Sequence, residues 1–474
     1  MSSETATAPV SSRCVVKRTL VSILLLGLAI AAGALIDMSA APKQPMVAPP
    51  PNVLIIITDD QSLGMMRVMP KTVRYFGRGG ERFTHFFDTT PVCCPSRASV
   101  FTGRYAHNHH VLTLQDGNRL AQGTTIQRYL EEAGYQTAMA GKYLNLWDIA
   151  RPPPYFTKWA LFDGGYYNKR FNVNGRVRRI KTYSTAFIAN QSLRFLSDFR
   201  NNGARPWFLY VAPYAPHSSF QVAPKYKGAP VPLWHKSPAV REKNLSDKPP
   251  YIRRLHESAR RAGIIRRERL RTLMSVDDLV GRIFSTLHKL GEDRNTLAFF
   301  LSDNGWLNRE HGFIGKRPPY LGSVEVPFYI RWPGHVPAGA SDSRLAGNID
   351  IMPTILQATG LRARDVVDGR SLLEASPWRS RLLLEQWKER GRVVTAERGA
   401  KVPDWASTVT RAYQYIEYYG RGGKTTFREY YDLRTDPWQL HNLLGDRTRV
   451  NDPNVAALSR QLHRDKSCAG ASCP

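Results

Sequence analysis

The segment Pro91–Val111, PVCCPSRASVFTGRYAHNHHV, sets two adjacent cysteines, a proline and an arginine ahead of three histidines. Neighbouring cysteines pair poorly with each other, because so small a ring strains the peptide between them. Cys93 and Cys94 therefore read as a chemical site rather than a staple. A second polar set closes two apolar runs. In PNVLIIITDDQ the run Val53–Ile57 leads to Asp59 and Asp60, and in NTLAFFLSDNG the run Leu297–Leu301 leads to Asp303 and Asn304. Three carboxylates and an amide oxygen form a hard oxygen cage that suits Ca2+ or Mg2+ rather than Zn2+. Either pair alone is also ordinary turn and cap chemistry. Two such pairs at the ends of two matching runs favour the cage.

The elements that must hold these groups are legible. Continuous apolar runs of five residues, rich in β-branched and aromatic side chains, suit strands buried on both faces of a parallel sheet. Polar groups at the carboxyl ends of such strands lie where α/β folds build their sites. Helical patterns run over Thr125–Ala133 and Leu273–Leu290, each stopped by a glycine, Gly134 and Gly291. The expected core is a mostly parallel sheet sandwiched by helices. From about Arg381 the pattern changes to alternating aromatic stretches, RVVTAE, TVTRAYQYIEYYG and TFREYYDLRTD, which suit a small antiparallel sheet. Tyr413, Tyr415 and Tyr418 are expected to pack within it.

The chain has 474 residues, 42% of them hydrophobic, enough for a large domain and a smaller one. Its 67 Lys and Arg against 39 Asp and Glu give a net charge of +28, which attracts anionic partners without choosing among them. The segment 221–271 concentrates this bias, with 14 Lys and Arg against 4 Asp and Glu. It is expected to be a basic insertion over the sheet edge, with RRLHESARRAGIIRRERLR as its helix. No nucleic-acid-binding module is recognisable.

Arg13, Lys17 and Arg18 precede the apolar run TLVSILLLGLAIAAGALI and the small residues MSAAP. This is the pattern of a secretory signal, and a run of about 18 residues also reaches the lower limit for an uncleaved membrane anchor. Either reading puts the rest of the chain outside the cytoplasm. Only five cysteines are present, and Cys468 and Cys473 in CAGASC suit a small terminal disulfide in an oxidising compartment. The expected organisation is a leader or anchor over 1–41 and a Pro-rich spacer over 42–51. A catalytic domain follows over 52–380, then a C-terminal α+β subdomain over 381–474.

PVCCPSRASVFTG resembles the Cys-x-Pro-Ser-Arg signature of the sulfatases, and GYQTAMAGKYL resembles their second signature. TDD, SDNG, IDIMPTILQATG and YYDLRTDPWQLHNLL are similar to sulfatase segments in the same order, so the resemblance runs from about Asn52 to Leu444. CCPSR, HNHH, GKYLN and NLSDKPPYIR look most like the glucosamine-6-sulfatase type, with arylsulfatases close by.

The resemblance implies an alkaline-phosphatase-like α/β fold. It also implies that a formylglycine-generating enzyme oxidises Cys93 to an aldehyde. One hydroxyl of the hydrated aldehyde attacks sulfur and releases the alcohol; the other then expels sulfate by re-forming the carbonyl. By the same resemblance Asp59, Asp60, Asp303, Asn304 and the modified Cys93 hold a calcium ion, with magnesium as the alternative. Arg97 supports the nucleophile. Lys142, His217 and Lys316 bind the sulfate, and His217 can protonate the leaving oxygen.

This chain departs from many sulfatases two residues beyond Lys142, where Leu144 stands in place of a histidine. His107, His109, His110 or Asn145 are the candidates to cover that role, with His109 and Asn145 placed among the substrate-binding residues. The expected substrate is a sulfated, anionic sugar or aryl ester. A phosphoester or phosphonate monoester hydrolase of the same superfamily is the second reading. A cell-surface protein that binds acidic polysaccharide without turnover is the third.

Overall fold

Every residue of the two apolar runs is buried, and alternate side chains serve opposite faces of one sheet. Val53, Ile55 and Ile57 join one hydrophobic core with Leu297, Phe299 and Leu301, whereas Leu54 and Ile56 join a second with Ala298 and Phe300. A strand covered on both sides has no solvent face to mark with polar residues, so its sequence is unbroken apolar. The computed structural model describes residues 49–203, 205–255, 257–375, 378–387, 401–446 and 448–474. Residues 50–474 make up one compact unit. The leader, most of the Pro-rich spacer and the RVVTAE stretch lie outside the described residues.

The large sheet has ten strands: β1 (Asn52–Thr58), β2 (Glu81–Phe87), β3 (Gln136–Gly141), β4 (Lys158–Phe162) and β5 (Lys169–Val173), then β6 (Arg176–Ile180), β7 (Trp207–Ala212), β8 (Thr296–Ser302), β9 (Phe328–Arg331) and β10 (Ser341–Gly347). Their order is β10-β2-β9-β8-β1-β7-β3-β4-β5-β6. Strands β8, β1, β7, β3 and β4 are mutually parallel. Strand β9 runs against β8 and against β2, so β2 points the same way as the central strands. Four further strands, β11 (Leu382–Gln386), β12 (Asp404–Val409), β13 (Tyr413–Tyr419) and β14 (Thr425–Asp432), form a separate antiparallel sheet in sequence order. Tyr415 and Tyr418 are buried in the third core, and Tyr413 stacks on Tyr430 at 5.3 Å between ring centres. The tyrosines pack, as their alternation predicts.

Helices α1 (Cys93–Thr102), α2 (Ile126–Glu132), α3 (Ser184–Asn201), α4 (Ala259–Leu290), α5 (Ile351–Thr359) and α6 (Val455–Asp465) complete the principal elements. Helices α1, α2 and α5 contribute to the first core, α3 and α4 to the second. Among the described residues, no helix is long and apolar enough to cross a membrane.

The basic stretch differs from its expected form. The helix begins at Ala259, where the Ser258 hydroxyl accepts the Arg261 N–H at 3.5 Å, and runs unbroken to Leu290. The expected basic helix and the expected Leu273–Leu290 helix are therefore one element of 32 residues. Its apolar face, with Leu270, Leu273, Val276 and Val280, packs in the core of Leu54, Ile56 and Phe300. This part of the helix, from Leu270 on, packs against the central strands β1 and β8. The cause is periodicity: Gly263 costs only about 1 kcal/mol within a helix and does not end one, and the apolar spacing continues through the arginines.

The terminal disulfide Cys468–Cys473 is present. His107 ties it to the body of the protein. Its Nδ1 lies 3.0 and 3.1 Å from the two oxygens of Glu385, and its Nε2 lies 3.0 Å from the Cys468 carbonyl. Both partners are acceptors, so only the imidazolium satisfies both. Burial opposes that charge, and Glu385 overcomes it, raising the His107 pKa to about 9 from 6.5. A raised pKa stabilises the fold fully below the unfolded value and loses that contribution as pH climbs through the folded one. The His107 contribution is at most about 3 kcal/mol, present at pH 6 and fading between roughly pH 6.5 and 9. Thermal unfolding of the parent and of His107→Gln should differ most near pH 6 and converge by about pH 9.5. A gap that stays constant with pH removes the ion pair from the account.

Candidate active site and metal centre

Parallel strands end on one edge, and that edge collects the polar residues. Asp59 and Asp60 follow β1, Lys142 follows β3, His217 lies beyond β7, and Asp303 and Asn304 follow β8. Cys93 comes after β2, which shares their direction. Lys316 precedes the antiparallel β9 and so arrives at the same edge. This is the carboxyl-end crevice where open α/β sheets bind ligands.

Local backbone contacts place each group. The Asp303 N–H donates to the Thr58 carbonyl at 3.0 Å and the Asp60 N–H to Asp303 Oδ1 at 3.1 Å, locking the two polar ends together. Asp60 has φ of 70°, rare for a residue with a side chain. The Arg269 guanidinium, from helix α4, donates to the Asp60 carbonyl and holds that turn. Gly141, at φ 119°, lets β3 approach β7 so closely that a Cβ there would meet the Ala212 carbonyl oxygen at 2.1 Å. Lys142 N–H then bonds that same oxygen at 2.9 Å, and its side chain turns into the crevice.

Helix α1 starts at Cys93 with no side-chain cap at Val92. Its first N–H groups therefore face the crevice uncapped, an arrangement that favours an anion. The helix stops at Gly103, φ 66°, whose N–H returns to the Ser99 carbonyl.

The side chains converge. Cys93 Sγ lies 3.3 Å from Asp59 Oδ1 and 3.8 Å from Asp60 Oδ1. Lys316 Nζ donates to Asp60 Oδ1 at 2.6 Å and to Cys93 Sγ at 2.7 Å, with Asn304 Oδ1 at 3.4 Å. Lys142 Nζ donates to Asp59 Oδ2 at 2.5 Å, and His217 Nε2 stands 3.6 Å from Asp60 Oδ2. Arg97, wholly buried, donates from Nε to Asp303 Oδ2 at 2.8 Å and from Nη1 to the Lys142 carbonyl and the Tyr210 hydroxyl. Burial alone pushes the Asp60 carboxyl up, and the charges of Lys316 and His217 outweigh it, leaving its pKa below the ordinary value. Burial, then Asp303 and Asp59, push the Cys93 thiol well up. A neutral thiol is a poor nucleophile.

The carboxylates at the centre of this cluster suit a hard cation. Asp59, Asp60, Cys93 and His217 each offer an atom within 4.8 Å of the others. Asp60 Oδ2 is buried without a hydrogen-bond partner, a costly arrangement that a cation relieves. Lys316 Nζ is already a positive centre touching three of the expected ligands. Asp303 gives both oxygens to protein donors, and His217 stands beside Asp59, Asp60 and Cys93. When bound, a divalent ion polarises an ester oxygen and neutralises charge on the reacting group. The carboxylates of Asp59, Asp60 and Asp303 are matched by the permanent charges of Lys142, Lys316 and Arg97, so an added ion leaves the crevice cationic.

Not every expected residue joins this cluster. His109 is buried elsewhere: its Nε2 pairs with the Ser99 hydroxyl at 3.0 Å and its Nδ1 accepts the Val111 N–H at 3.1 Å. Burial, with the nearby charge of His107, lowers its pKa to about 3. Its nitrogens are consumed by packing, which corrects its placement among the substrate-binding residues. Asn145 lines a cavity of about 160 Å³ with Lys142 and Leu144, and its Oδ1 is buried without a partner. Of the candidates to replace a histidine at Leu144, it alone is beside Lys142 with a free polar atom. Cys94 packs into the first core. The expectations missed Tyr210 and Arg269. A polar-tipped tyrosine inside the wholly buried β7 was a signal for the first; nothing in the spacing of the basic stretch singled out the second.

A sulfatase family profile matches residues 51–361, and an N-sulphoglucosamine sulphohydrolase C-terminal profile matches residues 309–467. The chain belongs to the sulfatase family. Sulfatases are sulfuric ester hydrolases, and the crevice described above has the charges that an anionic ester requires. N-acetylglucosamine-6-sulfatase of Homo sapiens is 32% identical over 490 residues, covering 89% of this chain and 86% of that protein. The extracellular sulfatase SULF-1 homolog of Drosophila melanogaster is 35% identical over 380 residues, covering 74% of this chain and 34% of that protein. The chain spans about half or less of the extracellular sulfatases it matches. A solved structure of a protein in complex with its substrate D-glucosamine-2-N,6-O-disulfate superposes with a TM-score of 0.72 at 23% identity, covering 87% of this chain and 97% of that one. At that identity the likeness is one of fold, the alkaline-phosphatase-like sulfatase fold.

Proposed function

We propose that this sulfatase removes a sulfate ester from a glucosamine-type sugar outside the cytoplasm, with Cys93 oxidised to formylglycine and calcium as its ion. The observation that carries the reading is the seat of Cys93. It is the first residue of an uncapped helix, within reach of Asp59, Asp60 and Lys316, and buried so that a thiolate is disfavoured. A cysteine so placed is poorly suited to attack as sulfur and well placed to present an oxidised side chain. The aldehyde, once hydrated, supplies one hydroxyl to form the ester to sulfur and a second to discharge it.

The remaining roles follow from position. Asp59, Asp60 and Asn304 would hold the ion, with Asp303 anchoring Asp60 and Arg97. Lys316 on Cys93 and Lys142 on Asp59 bring positive charge to the crevice, where they stabilise negative charge as it develops on the sulfate oxygens. His217 Nδ1 is fastened to the Ser218 carbonyl at 2.9 Å, which turns Nε2 toward the crevice as the group that can protonate the departing alcohol oxygen. Asn145 Oδ1 can accept a hydrogen bond from a sugar hydroxyl or amide. The extracellular relatives and the glucosamine sulfatases support the location and the sugar class.

The test is a pair of rate comparisons. Nitrophenyl sulfate should be cleaved faster than nitrophenyl phosphate, and N-acetylglucosamine 6-sulfate should release inorganic sulfate. Faster cleavage of the phosphate, or of a phosphonate monoester, moves the chain to the second reading. Stable binding of acidic polysaccharide with no ester cleaved moves it to the third.

A further inference from the structure

A cavity of about 460 Å³ adjoins the crevice and takes no part in the chemistry above. Its wall includes Ser62, two residues beyond Asp60, and Trp306, two residues beyond Asn304, and the Ser62 hydroxyl bonds the Trp306 carbonyl at 2.7 Å. Arg269 joins the two spaces, with its guanidinium on the Asp60 carbonyl and 5.0 Å from the centre of the Trp306 ring.

Three features of this cavity lack an internal explanation. The Trp306 indole is 5% exposed, and its Nε1–H is buried with no hydrogen-bond partner. Such a donor normally finds a partner, in the protein or in a ligand. Arg67 and Arg266 both line the cavity, and among the described residues neither forms an ion pair. Among the described residues Arg266 donates to the Pro232 carbonyl alone, at 3.1 Å, and its pKa is lowered by burial and then by the charge of Arg67. Two guanidiniums on the wall of one cavity offer donors suited to an oxyanion. Finally, Trp234 and Trp438 stand in the wall, Trp438 being 48% exposed, with the Arg266 guanidinium 6.0 Å from the Trp234 ring centre. An exposed indole and a half-buried one beside two cations offer apolar platforms next to anion clamps.

We propose that this cavity is a second subsite, in which Arg67 and Arg266 bind an anionic group on the sugar adjoining the one hydrolysed, while Trp234, Trp306 and Trp438 hold its ring. The substrate is then an oligosaccharide carrying more than one anionic group, not an isolated sulfated sugar. This deepens the proposed function and rests on it for the identity of the first sugar, but the subsite is tested by binding alone.

The experiment uses Cys93→Ala protein, which turns nothing over, and a heparan-type tetrasaccharide bearing N- and 6-O-sulfates, with affinity read by calorimetry. Arg67→Glu, added to Cys93→Ala, is expected to raise Kd at least tenfold, and Trp234→Leu about fivefold. Arg67 is exposed, and among the described residues its side chain forms no hydrogen bond, so its replacement should leave the fold intact. Arg176→Glu, on the exposed β6, removes the same charge far along the chain and serves as the control. A tenfold loss at Arg67 with little change at Arg176 supports the subsite. Equal losses at both sites reduce the effect to net charge and overturn it, as does unchanged binding at Arg67. In the protein with Cys93 intact, kcat/KM for the tetrasaccharide divided by that for nitrophenyl sulfate should fall with Arg67→Glu by the same factor. Failure to cleave any sulfate ester refutes the proposed function while leaving the binding result to decide the subsite.

Discussion

Cys93→Ala is expected to abolish sulfate release, a loss of roughly 10⁴-fold or more in kcat, as for removal of a covalent nucleophile elsewhere. The side chain is small and wholly enclosed, so the fold should survive its truncation while the chemistry does not. Cys93→Ser separates the steps. A serine hydroxyl can form the ester to sulfur but has no second hydroxyl to discharge it, so at most a single stoichiometric release of alcohol should follow. The direct check is mass spectrometry of the tryptic peptide Phe83–Arg97 from active protein, where Cys93 should carry an aldehyde oxygen in place of sulfur. An intact thiol there in fully active enzyme ends the formylglycine account.

Asp60→Asn should lower kcat/KM by about 10³-fold, the scale of losing a principal electrostatic element of a site. Asp60 is the hinge of the cluster. Its Oδ1 receives Lys316 and Asn304, and its Oδ2 faces His217 with no hydrogen bond of its own. Neutralising it would withdraw a donor from a bound cation and strand the buried Lys316 charge, and breaking a buried pair in this way costs about 3–5 kcal/mol. Thermal unfolding reads the metal role separately from activity. In the parent protein, calcium at a hundred times its Kd should add about 2.7 kcal/mol of stability, and a chelator should remove it. In Asp60→Asn that calcium-dependent increment should be lost. A parent protein whose melting temperature and rate ignore both chelator and calcium contradicts the metal centre.

Much of this site was legible before the fold. Asp59, Asp60, Asp303 and Asn304 stood out because each pair ends a run too apolar to be anything but a doubly buried strand, and Cys93 and Arg97 because their short motif has a specific chemistry. The order of Lys142, His217 and Lys316 along the chain carried the rest, and the structure brings all three to one edge of the sheet. His109 misled because a histidine beside a reactive motif looks available. Its use by Ser99 and the Val111 backbone depends on a turn that residue type does not reveal. Charge density in the basic stretch fits a solvated face and a site wall alike; Arg269 within it is fully buried, where it holds the strained Asp60 turn.

The sequence by itself determined which strands must be buried on both faces, where they end and which residue types stand at those ends. Those properties are local: the period of apolar side chains and the identity of the next two residues. Only the tertiary structure decided which of the many cations face the carboxylates and which face one another. It also showed that α4 packs on the core of Leu54, Ile56 and Phe300, and that the Trp306 N–H is buried without a partner beside a cavity. Such matters depend on strand order and helix placement, which bring together residues more than two hundred positions apart. A pairing like Arg269 with Asp60 leaves no periodic trace in either segment.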